Sequence, residues 1–349
     1  MAEIRPFVAT GVGSLPCRHP GPALDLIFRY LPEIAHWPQL PRRSAREGFV
    51  RQYVSPLVEM GLVEGEGGGL CFATSAPDWP ERLTRFYALY LEAVERDEAL
   101  EAFAFPRDAA EGFYAFLERA GKGEALFVKG QVSGPVTLGF QVTDPSRRAS
   151  FYDPQLRDLL LKTLEMHVRW QVRALGRTGR PVIIFIDDPG LYAFGQSTSI
   201  ALGREEIGES LNTLYDAAHR EGALAGTHCC AGIDWSLLTE SRVDILNFDA
   251  YEYFNTLLPY TSDLAAFLER GGLLAWGLVP TSPKIDGESV KSLLALLSQQ
   301  LDTLAGRGIP RHHLEEQAML TPSCGTGSLT PEQAERVYQL TAGVSGALR

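Results

Sequence analysis

Basic residues are scarce in this 349-residue chain: 32 Lys and Arg stand against 43 Asp and Glu, for a formal charge of −11 and a pI near 5.2. No cluster of Lys and Arg interrupts that acidity, which sets aside nucleic acid and anionic membrane surfaces as partners. Long apolar runs are missing too, none approaching the roughly 18–20 residues of a membrane helix. Met1 to Pro16 has no basic start followed by an apolar stretch of signal-peptide length, so the expected location is cytoplasmic. Cysteine is sparse: Cys17, Cys71, Cys229, Cys230 and Cys324 are odd in number and too few for a disulfide scaffold. In a reducing compartment, polar-flanked cysteines read first as metal ligands or reactive thiols. There is no low-complexity linker and no short repeat. What remains is an ordinary globular balance, 45% hydrophobic and 21% charged, which excludes a disordered tail or a coiled-coil rod.

Short apolar, β-branched runs alternate with longer helical patterns. The clearest strands are Phe7–Gly13, Ala125–Val132, Pro181–Ile186, Ala223–Thr227, Val243–Phe248, Leu273–Leu278 and Met319–Pro322. An eighth is expected between Leu62 and Thr74. Helical patterns run from Asp153-Pro154 to Leu175, over Arg204–Arg220 and over Ser289–Leu304. A last helix opens on a capping box, with Thr330 as N-cap, Pro331 at the first helical position and Gln333 three residues after the cap. Such alternation predicts parallel βαβ units. The expected architecture is a single α/β domain over residues 1–349, a (β/α)8 TIM barrel with insertions in the βα loops. A doubly wound open sheet would want a Gly-rich fingerprint after its first strand. Gly11-Val12-Gly13-Ser14-Leu15-Pro16 lacks the third glycine and runs into proline.

In a barrel, catalytic groups gather at the C-terminal strand ends. Five predicted ends carry polar or metal-competent residues: Ser14, Asp187, His228 with Cys230, Asp249, and Cys324. In extended chain, residues i and i+2 face the same side, so His228 and Cys230 point together and Cys229 points away. An imidazole beside a thiolate suits zinc. The next strand end adds Asp249 and the last adds Cys324, so a His, two Cys and an Asp can converge on one ion. Taken singly, each is as readily a buried structural residue. The apolar run Val182–Ile186 ends in two carboxylates. Asp187, first beyond the strand, is the candidate partner for an ammonium group, while Asp188 is equally suited to capping a helix. The small residues at Gly11-Val12-Gly13-Ser14 let backbone N–H groups approach an anion such as a carboxylate.

Gly13-Ser14-Leu15-Pro16, Ser133-Gly134-Pro135-Val136-Thr137, Asp187-Asp188-Pro189, His228-Cys229-Cys230 and Ser323-Cys324-Gly325 stand in the order seen in cobalamin-independent methionine synthase. The chain resembles that family's C-terminal catalytic barrel from about residue 7 to 345, without the family's N-terminal half. The resemblance implies a TIM-barrel methyltransferase of the uroporphyrinogen decarboxylase and methionine synthase-like superfamily. It implies Zn²⁺ held by His228, Cys230 and Cys324, with Asp249 where the family has Glu, and Glu252 as the alternative. It further implies Gly13 and Ser14 on the carboxylate of homocysteine and Asp187 on its amino group.

The departures bear on the methyl donor. Phe140-Gln141 stand where the family carries a Trp of its folate platform, and Thr281-Ser282-Pro283 where it has a proton-handling histidine. For the family's second substrate-binding Glu the only candidate is Glu66. The implied activity is zinc-dependent methyl transfer to homocysteine, giving methionine, with folate or a corrinoid such as methylcobalamin as donor. Three other readings stay open: transfer to another thiol such as coenzyme M, metal-free decarboxylation, and non-catalytic binding of zinc or a corrinoid partner.

Overall fold

In a computed structural model, which describes residues 4–65, 69–123, 125–194 and 203–349, eight strands form one all-parallel sheet. They are β1 (Val8–Ala9), β2 (Ile34–His36), β3 (Phe127–Ser133), β4 (Val182–Asp187), β5 (Leu224–Cys229), β6 (Ile245–Phe248), β7 (Leu273–Val279) and β8 (Ala318–Pro322). The order is β1-β8-β7-β6-β5-β4-β3-β2, with helices between the strands, and β1 pairs with β8 through Val8↔Met319 and Ala9↔Leu320. The ring draws together between β1 and β2: Thr10 Oγ1 donates to Ile34 O at 2.8 Å, and Gln39 N and Leu15 N make reciprocal bonds with Gly13 O and Gln39 O at 3.1 and 2.9 Å. This is the expected (β/α)8 barrel. Among the described residues no helix is long and apolar enough to cross a membrane.

One expected strand is corrected. Among the described residues of 62–74 there is no barrel strand; Val63–Glu64 and Cys71–Phe72 pair antiparallel with each other in a separate two-stranded sheet. Gly65 turns the chain there at φ +111°, where a Cβ would lie 2.2 Å from Gly69 O. The second barrel strand is Ile34–His36, three residues between Pro32 and Pro38, too short to show a period-two pattern. The long insertion between β2 and β3 carries the antiparallel pair and the helices Trp79–Glu95 and Glu111–Ala120.

The strands are buried on both faces, so inside and outside differ by alternation alone. Val8, Ile34, Phe127, Ile183, Phe185, Ile245, Ala275 and Met319 form an inner apolar cluster distinct from the larger core under the helices. Two residues further along five of these strands come Thr10, His36, Lys129, Asn247 and Thr321, all at 0% exposure. This polar layer is hydrogen-bonded, as buried polar groups must be. His36 shares a 2.7 Å bond with Tyr338 Oη, and Lys129 Nζ donates to Val12 O at 2.7 Å. Above it lie the strand tips.

The predicted helices form with their caps. Asp153 accepts from Gln155 N and Leu156 N at the start of Pro154–Gly176, and Thr330 and Gln333 close the capping box of Pro331–Leu348. Gly222, at φ +78°, follows the helix Arg204–Arg220 in the left-handed conformation that lets the chain turn back toward β5.

Candidate metal centre and substrate pocket

His228 is the fifth residue of β5, in register with Asp187 on β4 and Asn247 on β6. Asn247 decides which imidazole nitrogen is free. Its Nδ2 donates to Ala275 O and Thr321 Oγ1, both at 2.8 Å, which leaves Oδ1 as the end that faces His228 Nδ1 at 2.6 Å. An acceptor there holds a proton on Nδ1 and leaves Nε2 as the nitrogen open to a further partner. That nitrogen is buried and has no hydrogen-bond partner among the described residues. Cys230, just beyond β5, and Cys324, just beyond β8, bring their sulfurs to it: one ligand atom from each of the three residues lies within 4.8 Å of the others. Two zinc–sulfur bonds of about 2.3 Å each span such a gap. An imidazole whose second nitrogen is left open, backed by an amide and flanked by two thiols, fits a soft-ligand cation such as zinc.

The two thiols share one proton. Cys230 is drawn well below the ordinary thiol range by the hydrogen bond from Cys324 and by His228, against its burial. Cys324, the donor, is held well above it. The pair ionises as a unit.

The loop that carries Cys324 is fastened to β1. Thr326 N and Oγ1 donate to Ser14 O at 2.9 and 3.0 Å, and Gly327 N donates to Ser14 Oγ at 3.3 Å. A Cβ on Gly325 would sit 2.2 Å from Ser14 Oγ, so a larger residue there would have to displace the Ser14 hydroxyl. Ser323 Oγ ties the same loop to the end of β7 by accepting from Thr281 N at 3.1 Å. Gly13 abuts Gln131, whose Cδ and Nε2 would lie 2.9 Å from a Cβ at that position.

Asp187 and Asp188 divide their work. Asp188, at 0% exposure, accepts from Val136 N (3.0 Å), Thr137 N (2.8 Å) and Thr137 Oγ1 (2.6 Å). It therefore caps the helix Pro135–Gln141 from the neighbouring strand tip, satisfying N–H groups that the helix itself cannot. Gly134 is what lets the helix come so close, since a Cβ there would meet Asp188 Cβ and Cγ at 2.2 Å. The Gly134-Pro135-Val136-Thr137 motif is thus a fastening between β3 and β4. Asp187 points to the other side, 6% exposed, with Oδ1 unpartnered. Burial raises its carboxyl to about 6, opposed by His228 and Lys129. Lys129 is itself lowered to about 8 by burial, with its ammonium 4.3 Å over the Phe185 ring.

Asp249 stands at the tip of β6 but outside the group of three. Its Oδ1 accepts from Glu252 N at 2.8 Å, and burial raises its carboxyl to about 6 while His228 pulls it down. Glu252, the alternative fourth ligand, turns outward to an exposed ion pair with Lys284 at 2.7 Å. Glu66 lies outside the described residues. Phe140 stacks on Phe151 at 5.7 Å as part of the packing around the helix Pro135–Gln141.

The sequence reading missed Asn247, Lys129 and Gln131. A signal for them exists: each is a polar residue at an inward position flanked by apolar or glycine outward neighbours, but inward and outward become distinguishable only once the strand limits are known.

No protein-family model matches the sequence, and no curated protein matches it. Among solved structures, the putative vitamin-B12 independent methionine synthase from Listeria monocytogenes is similar with a TM-score of 0.52, at 14% identity over 99% of each chain. The B12-independent methionine synthase from Shewanella sp. W3-18-1, in complex with selenomethionine, gives 0.46 at 15% identity over 66% of each chain, just under two thirds of its length. At these identities the likeness is one of fold.

Proposed function

We propose that this protein is a zinc-dependent methyltransferase that methylates the thiol of homocysteine to give methionine, a relative of the catalytic barrel of the cobalamin-independent methionine synthases acting in the cytoplasm. The single observation that carries the reading is the meeting of ligand atoms of His228, Cys230 and Cys324 within 4.8 Å, near the buried Asp187, whose Oδ1 has no partner among the described residues. His228, Cys230 and Cys324 would hold the ion, and Asp249 would complete the set by giving up its bond to Glu252 N. Zinc with two thiolates, a carboxylate and a neutral imidazole sums to −1 and supplies a Lewis acid that keeps an incoming thiol deprotonated yet nucleophilic.

The chain's own residues do the rest. Asp187 binds the substrate ammonium in a site where burial strengthens the pairing. The tip of β1, at Gly13 and Ser14, holds the carboxylate with backbone N–H groups. Together they aim the sulfur at the thiol pair. Phe140-Gln141 in place of the Trp of the family's folate platform favours a corrinoid-borne methyl group over a folate.

The test is metal analysis joined to methyl transfer onto homocysteine, with methylcobalamin and methyltetrahydrofolate compared as donors. Wild-type protein is expected to hold stoichiometric zinc and to form methionine. Cys324→Ser is expected to lose both while remaining folded. Zinc-free wild type, or a Cys324→Ser variant with full zinc and full activity, overturns the reading.

A further inference from the structure

Besides His228 Nε2, the buried acceptors at this end of the barrel that lack a partner among the described residues include Asp187 Oδ1 and Gln131 Oε1. The proposed chemistry gives Gln131 no task. It is 1% exposed and lies on the inward face of β3, two residues before Ser133, whose Cα pairs with that of Asp187. That makes it the diagonal neighbour of Asp187, within reach for a long side chain. Its amide lies against Gly13, so it stands between the two positions that would grip an amino acid. The orientation of the amide follows from its bonding: Nε2 donates to Trp37 O at 3.3 Å, which leaves Oε1 as the open acceptor. The ammonium of Lys129, two residues earlier on the same face, is engaged by Val12 O at 2.7 Å.

A buried acceptor without a donor is unfavourable unless a guest supplies one. We propose that Gln131 is a specificity-determining residue: its Oε1, together with Asp187 Oδ1, accepts hydrogen bonds from the primary ammonium group of the substrate. The pocket would then take thiols that carry an ammonium group beside a carboxylate and reject the same thiol without its amine. This rests on the amino-acid thiol reading given above. A primary ammonium has three N–H donors, so it can serve both acceptors at once. The carboxylate supplies the opposing charge, and the neutral amide fixes the direction of a second N–H without adding negative charge beside the thiolates.

Homocysteine and 4-mercaptobutyrate, the same thiol acid without its amine, separate the possibilities. Calorimetric affinities of both are measured on zinc-loaded wild type, Gln131→Met and Gln131→Leu, with zinc content and circular dichroism as checks on the fold. Wild type is expected to favour homocysteine, and each variant to lose about tenfold of that preference with 4-mercaptobutyrate affinity and zinc unchanged. A folded variant with the wild-type preference overturns the role of Gln131 alone. A wild type that does not distinguish the two thiols overturns the amino-acid reading and this proposal with it.

Discussion

Asn247 offers the sharpest test of how the metal centre is built. Asn247→Leu removes the acceptor 2.6 Å from His228 Nδ1 and both 2.8 Å donations from Nδ2. The imidazole then loses what holds its tautomer and its plane. Loss of the partner behind a metal-binding histidine lowers metal affinity about 10–100-fold, or roughly 1.4–2.8 kcal/mol. The fold loses hydrogen bonds in a dry interior as well, at about 1 kcal/mol each. Asn247→Asp separates the two effects. Its carboxylate still accepts from Nδ1–H, the commonest arrangement behind a zinc-bound histidine, but it cannot donate to Ala275 O. Zinc affinity is measured by competition with a chromophoric chelator, and stability by urea titration. Asn247→Leu is expected to lose both affinity and stability, whereas Asn247→Asp loses stability but stays within about threefold of wild type in affinity. Wild-type affinity in Asn247→Leu, or equal losses in the two variants, refutes the reasoning.

The other predictions concern the strand tips. Gly134→Ala forces a methyl into the 2.2 Å approach to Asp188 and is expected to destabilise the fold by about 1–3 kcal/mol in urea titration; unchanged stability removes the fastening role. Asp188 is raised to about 6 by burial in spite of its bonds from Thr137 and Val136, whereas in the unfolded chain it titrates near 3.9. The folded state therefore holds more protons between about pH 4 and 6, and this contribution to stability falls as pH rises through that window. Asp188→Asn should flatten that slope, and identical urea midpoint slopes for wild type and variant would count against it. Asp187→Asn should raise the homocysteine KM about 10–100-fold with zinc content unchanged, the range expected for a buried charge-assisted bond. An unchanged KM takes Asp187 out of the substrate site.

Much of the barrel was legible in local chemistry. Strands such as Val182–Ile186 are apolar runs because both faces are buried, and Asp153, Ser289 and Thr330 announce helix starts through groups that satisfy open N–H donors. β2 was not legible: a three-residue strand carries no periodicity, while the apolar residues Val63 and Phe72 of the Gly-rich segment pair with each other in a separate sheet. His228, Cys230 and Cys324 were readable as a set because strand tips converge in any such barrel, whatever the loops do.

What the sequence determined alone is therefore the order of the elements, the caps, and which side chains reach the C-terminal rim, all of which depend on neighbours a few residues away. What only the tertiary structure decided is which atoms are left without partners there. Asn247 turns His228 by reaching across three strands, Asp188 is consumed by a helix more than fifty residues earlier, and Gln131 meets Gly13 across the barrel. These are contacts between strands distant in sequence. Their geometry depends on closure of the whole ring, which no local pattern encodes.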